Sequence, residues 1–126
     1  MRKVLLYIGG SFTLIFSIFH LSFWKLFNWS EELLKLSPEN QGTLQMLNVV
    51  SVYVLLFGAF ISFYLAKKKE QFSFIEKILI IFLAGYYILR IIFSAPFYGF
   101  SPEDLLIWFF CISIASCYLF VLRDNW

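Results

Sequence analysis

The sequence predicts an all-α integral membrane fold: a four-helix bundle running up-down-up-down, both termini cytoplasmic, with a short interfacial helix between helices one and two. Three observations predict it. Of the 126 residues, 61% are hydrophobic and 14% charged, with a mean hydropathy of +0.81, where an ordinary soluble domain carries roughly 25% charged residues. Four apolar stretches, at about residues 4–27, 43–66, 74–93 and 105–122, approach the roughly 20 residues that cross a hydrocarbon core about 30 Å thick. The basic residues gather at one set of stretch ends. A soluble fold of this size could not hide so much apolar surface, because a domain of about 150 residues still leaves roughly 30% of its chain surface in solvent. One membrane-embedded domain spanning residues 1–126 accounts for the chain, without repeats, low-complexity tracts or linkers.

The first stretch follows Met1-Arg2-Lys3 and so imitates a secretory signal peptide. Its apolar segment is too long and too rich in Phe, and it lacks a small-x-small cleavage site, so it is read as a retained first helix. The connection from Asn28 to Gly42 holds Ser30-Glu31-Glu32-Leu33-Leu34-Lys35-Leu36 and then Pro38. It reads as an N-capped helical turn or two with an apolar side. Trp24 and Trp29 flank it, which places it in the membrane interface.

Between the second and third stretches, Lys67-Lys68-Lys69-Glu70-Gln71 makes a tight polar turn. Glu76 and Lys77 then sit at the interface, with the acid on the positive end of the third helix dipole. Pro96 and Gly99, in the run Ser94 to Phe100, are expected to stop the third helix. Ser101-Pro102-Glu103-Asp104 reads as an N-cap, a first-turn proline and two acids at the start of the fourth. Orientation follows from Arg2, Lys3, Lys67, Lys68, Lys69, Lys77 and Arg123 on one side against Lys25 and Lys35 on the other. The Lys-rich side is expected in the cytoplasm, of a bacterial inner membrane.

With that topology, His20, Gln45, Asn48, Tyr86, Tyr87, Arg90 and Asp104 fall at one depth near the exterior. Ionisable groups inside spans cost roughly 2.5–3.5 kcal/mol on insertion scales and face the bundle interior or a cavity, so this layer is the candidate site. Helical spacing groups Gly10, Thr13, Ser17, His20 and Trp24 on one face, then Gln41, Gln45 and Asn48, then Tyr87, Arg90 and Ser94, then Asp104, Trp108, Cys111 and Ala115. The expected interior is small-residue packing toward the cytoplasm, helped by Gly58 and Ser62, and a polar pocket toward the exterior. The bland readings are equally concrete. Arg90 can snorkel to the headgroups, or stay inside with Asp104 as counter-ion. His20 can be a hydrogen-bonded packing residue, Gln45 and Asn48 interhelical hydrogen bonders, and Tyr86 and Tyr87 members of an aromatic belt.

Several chemistries are excluded on residue content. A lone His without a second His or Cys nearby gives no metal or haem site, and no cofactor is expected. Cys111 and Cys117 are six apart, hence about 240° apart around a helix, and cannot bond each other. Phosphate-binding glycine loops, zincin motifs, serine elbows and mid-span acid pairs are missing from the sequence. A net charge of +2, dispersed along the chain, offers nothing to nucleic acid.

The placement of His20, Trp24, Trp29, Asn40, Gln41 and Gly42 around the first connection is similar to that of small bacterial inner-membrane families of unknown function, including DoxX-like proteins. That resemblance is one of layout and implies no activity or catalytic residue. The expected function is binding of a lipid, quinone or similar amphiphile by His20, Gln45, Asn48, Tyr87, Arg90 and Asp104. The alternatives are a small membrane enzyme with His20 as acid or base, and a structural subunit of a membrane complex. Expected partners are membrane lipid, an amphiphilic small molecule, and further copies of the chain or a larger membrane complex.

Overall fold

A computed structural model describes residues 1–98 and 102–123, with Ala95, Phe97, Tyr98, Pro102 and Glu103 described in backbone only. Its described residues form α1 (Arg2–Leu21), α2 (Phe23–Leu26), α3 (Trp29–Glu32), a 3-10 turn (Leu33–Lys35), α4 (Pro38–Lys67), α5 (Phe74–Tyr98) and α6 (Pro102–Arg123), and no strand. Four of these helices, α1, α4, α5 and α6, are long and apolar enough to cross a membrane. The all-α four-helix architecture is therefore the observed one.

Local chemistry moves three element boundaries from their expected places. The first stretch is two pieces, because the Ser22 hydroxyl donates to Phe19 O at 2.7 Å and competes for the carbonyls that would continue α1. Asn28, left-handed at φ 46°, then turns the chain, a conformation that Asn tolerates better than most residues. The second stretch begins five residues early. Ser37 caps α4 by accepting from Asn40 N, and Pro38 occupies the first turn with Glu39 beside it, so the 30-residue helix is about 45 Å long at 1.5 Å per residue. The third continues through Pro96 to Tyr98. A proline lacks only its own backbone donor, and here the helix runs on past the place where it was expected to stop. Gly99, Phe100 and Ser101 lie outside the described residues.

α1 packs along α4 and also against α6, α6 holds α5, and α4 meets α5 only lightly. Contacts between α1 and α4 run in opposite directions along the two chains, from His20 with Asn48, through Ser17 with Val52, to Arg2 with Lys68. Their close approach comes from glycines. A Cβ on Gly10 would sit 2.9 Å from Ser62 Cβ, and one on Gly58 would sit 3.5 Å from Thr13 Cγ2 and, toward α5, 2.7 Å from Leu83 Cδ2. Without a hydrophobic drive between helices in lipid, such backbone proximity is what van der Waals packing offers in its place.

At the Lys-rich end Arg2 ties the bundle shut. Its guanidinium donates to the carbonyls of Lys68 at 2.8 Å, Lys69 at 3.3 Å and Glu70 at 3.1 Å, and lies 4.7 Å over the Phe72 ring. Lys68 donates to both Glu76 carboxylate oxygens at 2.8 Å, and that carboxylate holds the Lys68 ammonium above the usual lysine range. At the opposite end the connection folds back on itself. Trp29 and Leu33 are buried, with Trp29 edge-on to Phe23 and Trp24, while Trp24, Leu26, Phe27, Leu34 and Leu36 stay exposed.

Candidate functional site

The polar residues of the spans fall into two groups, and only one of them is the expected layer. Along α1, Gly9, Gly10, Thr13 and Ser17 are all buried, so the small face turns inward as its spacing predicts. Thr13 is the centre of a buried hydroxyl network to which each long helix contributes one side chain. Tyr87 of α5 donates to Thr13 Oγ1 at 2.9 Å. Thr13 Oγ1 lies 3.0 Å from the Tyr118 hydroxyl of α6, which lies 2.8 Å from Ser62 Oγ of α4. Thr13 also reaches Gly9 O at 2.7 Å and Ser62 reaches Gly58 O at 2.8 Å.

Those contacts outnumber the protons available, since each of the four hydroxyls brings a single one. Several arrangements give every hydroxyl a partner, and two of them run as continuous chains. In one, protons point Tyr87 to Thr13 to Tyr118 to Ser62 to Gly58 O. In the other, Ser62 donates to Tyr118, Tyr118 to Thr13, and Thr13 to Gly9 O. The carbonyl left out in each case keeps its backbone partner in the helix, so neither arrangement strands a buried group. Both chains end on a carbonyl, which makes the network a closed lock across the bundle.

The second group lies toward the other end of α1. His20 Nδ1 is 2.9 Å from Asn48 Oδ1, and Asn48 Nδ2 donates to the His20 carbonyl at 3.0 Å. The amide orientation fixed by the second bond makes Oδ1 the acceptor of the first. His20 therefore carries its proton on Nδ1, and Nε2 is the basic nitrogen of the neutral ring. Phe23 stacks on the imidazole at 4.5 Å and Phe19 meets it edge-on, so the ring has little freedom. Arg90, half-buried on α5, lies within electrostatic range of His20 of α1, Tyr86 of α5 and Cys111 of α6. A short hydrogen bond from Trp108 Nε1 to Ser94 Oγ joins α6 to α5, and Ser94 donates in turn to Ile91 O at 3.1 Å.

Of the six candidate residues, then, His20 and Asn48 are in direct contact and Arg90 is within electrostatic range of His20. Gln45 is half-buried one turn before Asn48, and Asp104 is half-buried in the first turn of α6. Tyr87, 1% exposed, points its hydroxyl at Thr13 and so serves the hydroxyl network. The interior away from His20 holds the small residues expected there, Gly10, Gly58 and Ser62 among them, and Thr13, Ser62 and Tyr118 in addition join their hydroxyls across it. Tyr118, fully buried, is the residue that sequence reasoning missed. Its signal was present: it lies three residues beyond Ala115, one turn further along the face that already held Cys111 and Ala115.

Neither of two shallow grooves on the bundle is lined by a candidate residue. One, of about 270 Å³, runs along the outer face of α1 at Tyr7, Ile8, Ser11, Phe12 and Ile15. The other, of about 360 Å³, lies at the C-terminal end of α4. Among the described residues no three His, Cys, Asp or Glu side chains converge as metal ligands. The chain matches no protein-family model, no curated protein and no solved structure, so the likeness to DoxX-like proteins stays one of layout.

Proposed function

We propose that this multi-pass membrane protein binds a lipid, quinone or similar amphiphile by its polar or anionic head at the His20 end of the bundle, in the exterior leaflet. One observation carries the reading: Arg90 and His20, on different helices, are within electrostatic reach inside the spans. An ionisable pair at that depth costs insertion energy and recurs where a substrate or counter-ion is held. Access is through the lightly packed seam between α4 and α5. Arg90 supplies the charge for the head, with Asp104 as its counter-ion in the empty state. The His20–Asn48 pair sets the orientation, leaving Nε2 to accept from a hydroxyl, and Gln45 extends the polar rim.

A second reading, a structural subunit with no ligand, is favoured by the absence of any buried side-chain nitrogen or oxygen without a partner among the described residues. Native mass spectrometry of the purified chain separates the two. The binding reading expects a co-purified amphiphile whose occupancy falls about tenfold or more in Arg90→Ala, consistent with loss of a charged hydrogen bond, while circular dichroism keeps the helix content. A native chain free of amphiphile, or an Arg90→Ala chain that retains it, leaves the structural reading.

A further inference from the structure

The Lys-rich end carries a second, independent feature. The loop after α4 is held rigidly. Arg2 takes three of its carbonyls, Lys68 is committed to Glu76, and Glu76 also accepts from Ser73 N at 2.7 Å and Ser73 Oγ at 2.8 Å. What this fixed loop leaves over is Lys67 and Lys69, both exposed, which with Tyr64, Lys68 and Glu70 line a groove of about 360 Å³. Tyr64, 56% exposed, lies one turn deeper along the same helix and brings both a ring and a hydroxyl donor.

We propose that this groove binds the phosphodiester head of an anionic phospholipid from the leaflet on the Lys-rich side. Two ammonium groups at the rim provide the charge. The Tyr64 hydroxyl provides a further donor, and its ring provides an apolar wall where the acyl chains begin. Glu70 also lines the groove and its carboxylate opposes an anion. The two exposed lysines outweigh that single charge, so the site stays positive. Glu76, which would otherwise attract Lys68 and its neighbours away, is already saturated by Lys68 and Ser73. The same ion pair that shapes the loop therefore frees the flanking lysines. A volume near 360 Å³ is at the small end of ligand sites, which run from roughly 300 to 1,000 Å³, and suits a headgroup better than a whole amphiphile.

The full-length protein in neutral detergent, titrated with phosphatidylglycerol or with phosphatidylcholine of the same acyl chains and read by native mass spectrometry, tests the proposal. Phosphatidylglycerol adducts should persist at collision energies that strip phosphatidylcholine. The double variant Lys67→Gln, Lys69→Gln should bind phosphatidylglycerol roughly 20-fold more weakly, at about fivefold for each lysine near an anionic surface. The matched removal of Lys25 and Lys35 at the other end should leave binding within about twofold. Equal retention of the two lipids, or a double variant that binds as the parent does, overturns the proposal. Displacement of phosphatidylglycerol by millimolar inorganic phosphate overturns it as well, by assigning the groove to the free anion. Because Lys67 and Lys69 lie at the end opposite His20 and Arg90, the loss expected of their double variant is independent of the amphiphile site proposed above.

Discussion

Tyr118 shows how a single hydroxyl can organise four helices. It is fully buried, it meets Thr13 on one side and Ser62 on the other, and a β-carbon on Gly9 would come within 3.1 Å of its ring. In a bilayer the alternative to these bonds is an unsatisfied hydroxyl in hydrocarbon, yet measured interhelical bonds average only about 0.6 kcal/mol and reach about 1.7. Tyr118→Phe should therefore destabilise the bundle by about 1–2 kcal/mol, measured by reversible unfolding in mixed micelles. Ser62 and Thr13 keep their bonds to Gly58 O and Gly9 O. A loss above about 4 kcal/mol would mean that the ring had also been displaced. The His20–Asn48 pair invites a double-mutant cycle with His20→Phe and Asn48→Leu, whose coupling should lie near 1 kcal/mol. A coupling of zero would deny the pair any part in stability. These two groups also differ in how readily the chain reveals them. His20 and Asn48 stand out as polar residues in apolar runs, whereas Thr13, Ser62 and Tyr118 are residues that spans tolerate everywhere. Only their convergence across four helices gives them meaning, and convergence is a property of the packed bundle.

Helix ends are where reading by pattern and folding by chemistry part company. Apolar length located every long helix, because crossing a bilayer demands it. The true start of α4 was hidden because Ser37-Pro38-Glu39 lies in a polar segment outside the hydrophobic window. It carries the same cap, proline and acid signature that was recognised at Ser101-Pro102-Glu103. Ser22 and Asn28 similarly redirect the chain by local hydrogen bonding that hydropathy does not register. Two glycines, Gly42 of α4 and Gly10 of α1, separate the two regimes. Gly42 has nothing within 4 Å of a built Cβ, so Gly42→Ala removes only the glycine penalty and should stabilise by about 0.5–1 kcal/mol. A Cβ at Gly10 meets Ser62 Cβ, an atom bonded directly to the backbone that cannot swing away. Gly10→Ala should cost about 1–3 kcal/mol as α1 and α4 are pushed apart. Melting temperatures of the two alanine variants in one detergent should thus move in opposite directions, and a shared direction would refute the assignment of Gly10 to the helix contact.

At the scale of the whole molecule, charge and hydroxyls divide the bundle between orientation and closure. Arg2 on the carbonyls of Lys68 to Glu70 brings the start of α1 and the end of α4 to one end of the molecule, and the Lys68–Glu76 pair brings the start of α5 there as well. Arg2, Lys3, Lys67, Lys68, Lys69 and Lys77 are therefore one basic surface, whereas Lys25 and Lys35 lie in the connection beyond His20, with Lys35 paired to Glu32 at 2.6 Å. An excess of basic residues in short segments holds its side of a protein in the cytoplasm during insertion, so the asymmetry argues for the Lys-rich end inside. Single cysteines at Lys69→Cys and Leu34→Cys, in a chain with Cys111→Ala and Cys117→Ala, test this with a membrane-impermeant maleimide. Both positions are exposed, and both native thiols lie within α6, so their removal keeps the background dark without touching the loops. Leu34→Cys should label in intact cells, and Lys69→Cys only after permeabilisation. The reverse pattern would put the basic surface outside and the His20 end in the cytoplasmic leaflet, and any amphiphile held by Arg90 would then be drawn from that leaflet. Equal labelling of both positions in intact cells would mean that the chain inserts in two orientations, with the basic surface too weak to decide between them.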